Sequence, residues 1–413
     1  MTANKKTVLN LSAGDFGGAG AFAVDFNNLL QASGMASYLL VKEAKNKHSQ
    51  AVVYPNSKYD KPKGKLMRSL NKQRLTDNKF VYDYYFYNKY ERCTTVSARK
   101  VLQQIPAKPD VIITYWVTDF INAQTLSELY ELTGASIYCF LVDNAPLTGG
   151  CHYPWGCQGF KQDCADCPAI LADNIKYVAS ENLAFKKKYL PESAKAVAFS
   201  NSDYDRACQS ALFRDRDVLK LIGFVDETKF TVGNQRSARS YFSLSADKKI
   251  IFFGASSLTE RRKGMALLQQ ALSSLQTDSV CLLVAGECTL PLVGLSVKQA
   301  GYLSEEELIT AYQAADVFVC PSLEDSGPMM VNQALMCGTP VVAFDTGVAQ
   351  DLVITGKTGY RARLGDVADL AQGIQSVLGL SEEQYGQMAA GCREFAEKTF
   401  SKRVVMDQLT NVI

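Results

Sequence analysis

The residues best suited to chemistry fall in four places along the 413 residues. Glu324, Asp325, Ser326 and Gly327 form a polar loop, and Gln333 follows on the segment after it. Upstream, Arg261, Arg262 and Lys263 stand in a row before Gly264. Fixed cations of this kind stabilise a leaving diphosphate, which gathers negative charge as it departs. Near the start, Gly17 and Gly18 lie in a glycine-rich stretch from Ser12 to Gly20. Such a turn lets backbone N–H groups approach phosphate, but its spacing is not G-x-G-x-x-G, so it does not mark a dinucleotide site. Cys151, Cys157, Cys164 and Cys167 make a C-x5-C-x6-C-x2-C cluster within 17 residues, with His152 inside it. Four thiolates so spaced can close a tetrahedral zinc site, with His152 as a substitute ligand; one or two disulfides, or unliganded thiols, are the other readings.

Elements must carry these residues, and the clearest lie between Ala315 and Leu352. Val317 to Cys320 is a short, β-rich apolar run that reads as a buried parallel strand, stopped by Pro321-Ser322. After the polar loop Leu323 to Pro328, Met329 to Cys337 has helical periodicity, Gly338 suits a left-handed helix end, and Pro340 forbids continuation. Pro340 to Phe344 is the next buried strand, leaving through Asp345-Thr346-Gly347. A βαβ unit binds ligands at the carboxyl ends of its strands, so Asp325 and Gln333 face one crevice beside a helix N-terminus that can hold an anion.

This stretch resembles the donor-binding signature of retaining glycosyltransferases of the GT-B fold, glycosyltransferase family 4. That family carries a Glu, seven residues, a second Glu, and an Ala-x-x-Cys-Gly-x-Pro-Val-Val run. Ala334, Cys337, Gly338, Pro340, Val341 and Val342 match as they stand, the first acidic position falls on Asp325 with Glu324 beside it, and the second falls on Gln333. The resemblance implies that Asp325 contacts the donor sugar and Gln333 the ribose, although Gln333 lacks the charge-assisted bond of a carboxylate. It implies a basic residue and Lys263 on the diphosphate, with Arg262 or Arg261 as the second cation. It also places the Gly301–Leu303 backbone, with Tyr302 and Leu303, near the base. The Gly17-Gly18 loop is then the turn that faces donor phosphates and acceptor, and no catalytic divalent metal is expected.

In the first half, Thr7 to Leu11 reads as a buried strand followed by a helix from about Ala21 to Ala32. Val111 to Tyr115 and Ile137 to Val142 read as strands, and Val142 leads into Asp143-Asn144. By resemblance Asp143 faces the acceptor. Members of the family place a His beside the Trp matched by Trp116, and another before the Asp; this chain has Ile113 and Tyr115 at the first and Val142 at the second. A subgroup has a similar cysteine-rich insertion after its Asp loop, which supports a structural zinc role for the cluster, with Trp155 and Phe160 packing over it. Val218 to Val225 reads as a further strand and Asp226 to Arg239 as a polar hinge. Lys248 to Gly254 starts the second half, Val280 to Gly286 is another strand, and Ser304 with Glu307 makes a capping box.

From Lys42 to Arg92 there are 13 basic and 5 acidic residues, an excess of +8, interleaved with Phe80, Tyr82, Tyr84, Tyr85, Phe86, Tyr87 and Tyr90. Basic charge with aromatic anchors suits an anionic membrane surface near a lipid-linked acceptor. The bland alternative is a solvated basic loop with a structural tyrosine cluster. Elsewhere the composition is that of a soluble globular protein: 47% apolar, 21% charged and a net charge of +2, which argues against a nucleic-acid binder. Neither an N-terminal apolar leader nor a membrane-length apolar run is expected, and the scattered cysteines suit reduced thiols, so the expected location is cytoplasmic, peripheral at the inner membrane face.

The fold expected is α/β, GT-B: two Rossmann-like doubly wound domains facing across a cleft. Residues 1–235 form the acceptor side and 236–399 the nucleotide-sugar side, with a crossover helix from 400–413 returning to the first. The expected activity is a hexosyltransferase-type transfer, with retention, from a UDP- or GDP-sugar to a hydroxyl of a glycan or lipid-linked acceptor in surface polysaccharide synthesis. One rival reading is a non-catalytic nucleotide-sugar-binding subunit; another is a Rossmann enzyme of a different class, such as an epimerase, which the missing dinucleotide fingerprint disfavours.

Overall fold

A computed structural model of the chain describes residues 6–55, 60–255, 257, 259–275, 279–286, 295–327 and 329–412. Ser256 and Leu258 of the loop before Lys263, and Pro328 at the end of the polar loop, lie outside the described residues. The chain divides into two compact units, Met1–Phe199 with Asp203–Lys220, and Leu221–Val412 with Ser200–Ser202.

The first unit is built on β1 (Thr7–Gly14), β2 (Ala36–Glu43), β3 (Val52–Val53), β4 (Val111–Thr114), β5 (Ser136–Phe140), β6 (Lys195–Ala198) and β7 (Val218–Lys220). They form one sheet in the order β3-β2-β1-β4-β5-β6-β7, with every pair parallel. A parallel sheet is covered on both faces, which is why its strands read as unbroken apolar runs rather than alternating ones. Val8, Leu9, Leu11, Ile112, Ile113, Ile137 and Val197 are all buried. The order reverses between β1 and β4, and a doubly wound sheet opens a ligand crevice outside the carboxyl ends at that switch point. Two expected boundaries move. The first helix begins at Gly17 rather than near Ala21, because the glycines ahead of Phe22 carry no apolar period yet still fit the opening turn. The strand from Val218 stops at Lys220, where its pairing with β6 ends opposite Ala198 at the edge of the sheet.

The second unit holds β8 (Lys249–Gly254), β9 (Val280–Ala285), β10 (Ser296–Gly301), β11 (Val317–Cys320), β12 (Val341–Phe344) and β13 (Gly359–Ala362). These pair in parallel in the order β10-β9-β8-β11-β12-β13, so the switch point lies between β8 and β11. Ile251, Phe253, Leu282, Val284, Val319, Val342 and Phe344 make its core, closed by Leu370 and Ile374 of the Val367–Leu378 helix. On the other face, Phe252, Tyr312 and Phe318 pack with ring centroids 5.2 to 5.7 Å apart, Tyr312 edge to face with both phenylalanines. The expected polar hinge turns helical at Gln235, where the Asn234 side chain accepts from Ser237 N–H. Ser304 and Glu307 make the expected capping box, and the closing helices run Glu382–Phe400 and Lys402–Val412. Two doubly wound parallel sheets are the architecture of the GT-B fold class.

Candidate functional site

The second unit's switch point brings the sequence's cations and acids together. The loop leaving β8 ends in a single 3-10 turn, Arg261–Lys263, and the loop leaving β11 carries Glu324 and Asp325. The loops are clamped to each other: Leu323 N–H donates to the Arg262 carbonyl at 2.7 Å. Gly264, at φ +69°, lies so close that a Cβ there would stand 1.8 Å from the Pro321 carbonyl oxygen. Only glycine meets both conditions. Lys263 Nζ then donates to Asp325 Oδ2 at 2.5 Å and Arg262 Nη1 to the same oxygen at 3.2 Å. The other Arg262 amine reaches Glu260 Oε2 at 2.7 Å. Burial pushes the Asp325 carboxyl up, but the Lys263 and Arg262 charges outweigh it and hold the group below the ordinary carboxylate range. Of the two candidate second cations, Arg262 is the buried one on Asp325, while Arg261 faces outward.

Around this cluster Glu324 and Ser326 are buried and Gly327 is half-buried. Gln333 sits on the Met329–Met336 helix, where its Oε1 accepts from the Tyr312 hydroxyl at 2.9 Å. That bond fixes the amide through the Phe252–Tyr312–Phe318 aromatic cluster. Tyr302 is exposed and Leu303 is buried at the end of β10.

In the first unit Gly17, at φ +68°, opens the Gly17–Ala32 helix, and a side chain at Gly17 or Gly18 would meet open space. The turn before it is held by Asp15, which accepts from Lys45 N–H at 2.7 Å and from the Ser49 hydroxyl at 2.5 Å. Asp143 follows β5, and its Oδ2 lies 2.7 Å from Nδ1 of His152. The other ring nitrogen lies 3.0 Å from Asn88 Oδ1 and 3.2 Å from the Thr118 hydroxyl. Sequence reasoning treated His152 as a spare metal ligand and found no histidine beside Asp143. The chain instead returns one from the cysteine-bearing loop, held by Asn144 N–H donating to the His152 carbonyl at 3.0 Å. The position where the family's first histidine was sought is filled by a core residue: Tyr115 is buried, and its hydroxyl donates to Asn10 at 3.0 Å. Outside the carboxyl ends of β4 and β5 opens a pocket lined by Trp116, Thr118, Asn122, Asp143, Leu126 and Lys186 among others. The Trp116 indole N–H is buried without a hydrogen-bond partner among the described residues.

The zinc expectation gains no support. Cys151, Cys157, Cys164 and Cys167 do line one small cavity with Tyr84, Phe86, Phe160 and Pro168, but all four are free thiols. Among the described residues no group of three or more His, Cys, Asp or Glu could hold a metal ion. His152, the substitute ligand, is engaged by Asp143. Burial pushes the Cys167 thiol up to about 12 and Cys164 up to about 11, and the neighbouring cysteines push in the same direction. Phe160 packs on it as expected, whereas Trp155 is not among its lining residues and donates to the Asp83 carbonyl at 2.9 Å. The aromatic residues of the basic segment divide: Phe80, Tyr85 and Phe86 are buried, with Phe80 and Phe86 in the core cluster around this cavity, whereas Tyr82 and Tyr87 are exposed.

The segment that carries the cluster on Asp325 resembles known proteins. Residues 247–379 match the family described as glycosyl transferases group 1. Over 169 residues the chain is 31% identical to a D-inositol 3-phosphate glycosyltransferase of Mycolicibacterium smegmatis, covering 37% of this chain and 38% of that protein. It is 29% identical over 176 residues to a phosphatidyl-myo-inositol mannosyltransferase of Mycobacterium leprae, covering 40% of this chain and 46% of the relative. The matches thus span less than half of either relative. A solved structure of Anabaena Alr3699/HepE in complex with UDP-glucose superposes with a TM-score of 0.66 at 15% identity, covering 98% of both chains. That likeness extends the GT-B fold over the whole chain. The matched segment runs from just before β8 to the end of the Val367–Leu378 helix, so Arg262, Lys263, Asp325 and Gln333 all lie inside it.

Proposed function

We propose that the chain transfers a hexose-type sugar from a UDP- or GDP-sugar to a hydroxyl of a glycan or lipid-linked acceptor, with retention, in surface polysaccharide or glycoconjugate synthesis. The observation that carries this reading is Lys263 and Arg262 converging on Asp325 at the switch point of the segment that matches glycosyl transferases group 1. When donor enters, its diphosphate takes over the two cations, and Asp325 exchanges them for sugar hydroxyls. Arg261 stands at the outer side of the same turn, and Gln333 meets the ribose. Tyr302 and Leu303 lie by the base. The bond from the anomeric carbon to the diphosphate oxygen breaks, and its electron pair leaves with the nucleoside diphosphate. The acceptor oxygen bonds to the anomeric carbon on the same face, and its proton passes to the departing phosphate oxygen. Lys263 and Arg262 stabilise the charge that develops there.

Residues 1–235 are assigned the acceptor, with Asp143, oriented by His152, and the partnerless Trp116 indole at the pocket beyond β4 and β5. Gln333 in place of a carboxylate favours a second reading, a nucleotide-sugar-binding subunit without turnover. Incubation with UDP- and GDP-hexoses and a panel of glycan and lipid-linked acceptors, followed by NMR of the anomeric proton, separates the two. Product with the donor's own configuration is expected. Inverted product refutes retention, and donor binding without acceptor-dependent or hydrolytic turnover selects the subunit reading.

A further inference from the structure

We infer that the Pro62–Arg74 helix docks this protein on an anionic membrane surface. The helix has no buried residue along its whole length. Its sequence, PKGKLMRSLNKQR, holds five basic residues and no acid. Helical periodicity puts Leu66 and Leu70 one turn apart on one stripe, with Met67 beside it, and these are 63%, 61% and 38% exposed. A soluble surface helix normally turns such a stripe to its own core. This one does the reverse: its docked face is Gly64, Arg68 and Asn71. A Cβ on Gly64 would stand 1.7 Å from the Thr94 carbonyl oxygen. Arg68 pairs with Asp119 at 2.7 Å, and Asn71 Nδ2 reaches the Cys93 sulfur at 3.7 Å. Lys63 and Lys72 lie exposed to either side of the apolar stripe.

The patch continues past the helix end. Arg74 donates to the Tyr177 hydroxyl at 3.0 Å, and Lys79 Nζ donates to the Arg74 carbonyl at 2.8 Å. Leu171, 62% exposed, joins Lys79 through its own N–H at 2.9 Å. Exposed aliphatic side chains ringed by cations, with no acid on the helix, match a surface that is apolar within and anionic outside. No described helix is long and apolar enough to cross a membrane, so the contact is one of lying on the surface. Asp119, which anchors Arg68, lies in the loop leaving β4, the side of the sheet that opens on the Trp116 pocket. A chain docked here would hold that pocket's rim at the surface where a lipid-linked hydroxyl is presented. The docking itself does not depend on the transfer reading.

The test is co-sedimentation of the full chain with phosphatidylcholine vesicles, with and without phosphatidylglycerol. Three forms are compared: the unaltered chain, Leu66→Ser with Leu70→Ser, and Lys63→Glu with Lys72→Glu. All four positions are exposed, so circular dichroism and melting should be unchanged. Salt-sensitive binding is expected only with phosphatidylglycerol, and each double variant should weaken it by on the order of tenfold or more. Equal binding to neutral vesicles, no binding, or variants that bind like the unaltered chain would overturn the inference. So would a dimer in light scattering that Leu66→Ser with Leu70→Ser dissolves, since the stripe would then belong to a second copy. Because the vesicles carry no acceptor and no donor is added, failure here leaves the transfer reading standing.

Discussion

Asp325 accepts from two cations through one oxygen, and that arrangement makes its charge state matter. Its folded carboxyl is held below the ordinary carboxylate value of about 4. The stabilisation from ionised Asp325 is therefore fully present above that value and is lost as pH falls through the lower folded value. Acid titration of melting temperature should show the unaltered chain losing stability below about pH 4 more steeply than Asp325→Asn, whose loop no longer titrates. Parallel acid curves would mean that the ion cluster contributes nothing. Gln333 offers a second test. If it meets the ribose, Gln333→Glu gains a charge-assisted bond and should tighten nucleotide binding by roughly threefold to tenfold. Calorimetric titration showing unchanged or weaker binding would remove Gln333 from the donor site. His152 belongs at this scale as well: His152→Ala should lower the rate of transfer while leaving the donor dissociation constant within about twofold of the unaltered value. A parallel loss of donor binding would contradict its assignment to the acceptor.

Elements decide which of these residues could be read in advance. Lys263 and Asp325 end loops after β8 and β11, and a strand–loop–helix pattern puts such loops side by side without any knowledge of side chains. Arg262 could not be told from Arg261, because a one-turn 3-10 segment, with no period to read, decides which side chain turns inward. His152 was missed for a related reason. It reaches Asp143 across nine residues of irregular loop, where spacing carries no direction. The tyrosine-rich segment misled in the opposite sense: interleaved aromatics looked like surface anchors, yet Phe80 and Phe86 stack at 5.1 Å inside a core. The strands themselves were legible because both faces are buried and the apolar runs are continuous. The clamp between the two loops of the proposed donor site rests on Gly264. Gly264→Ala combines a left-handed backbone with a clash on Pro321, and should cost at least about 1–3 kcal/mol and weaken donor binding with it. A variant that melts and binds like the unaltered chain would show that the loops are not coupled.

At the scale of the whole molecule there are two all-parallel units: the Lys263–Arg262–Asp325 cluster proposed to meet the donor sits in one, and the Asp143–His152 pair with its pocket sits in the other. The account therefore stands on whether the second unit's cations hold a nucleotide diphosphate. The most direct measurement is calorimetric titration with UDP, GDP and ADP and their hexose conjugates, repeated on Lys263→Ala. The account predicts that one nucleotide family binds, and that removing one charged hydrogen bond, worth about 1.5–3 kcal/mol, weakens it roughly tenfold to a hundredfold. Equal affinity in Lys263→Ala, or no binding of any nucleotide to a folded chain, would contradict it.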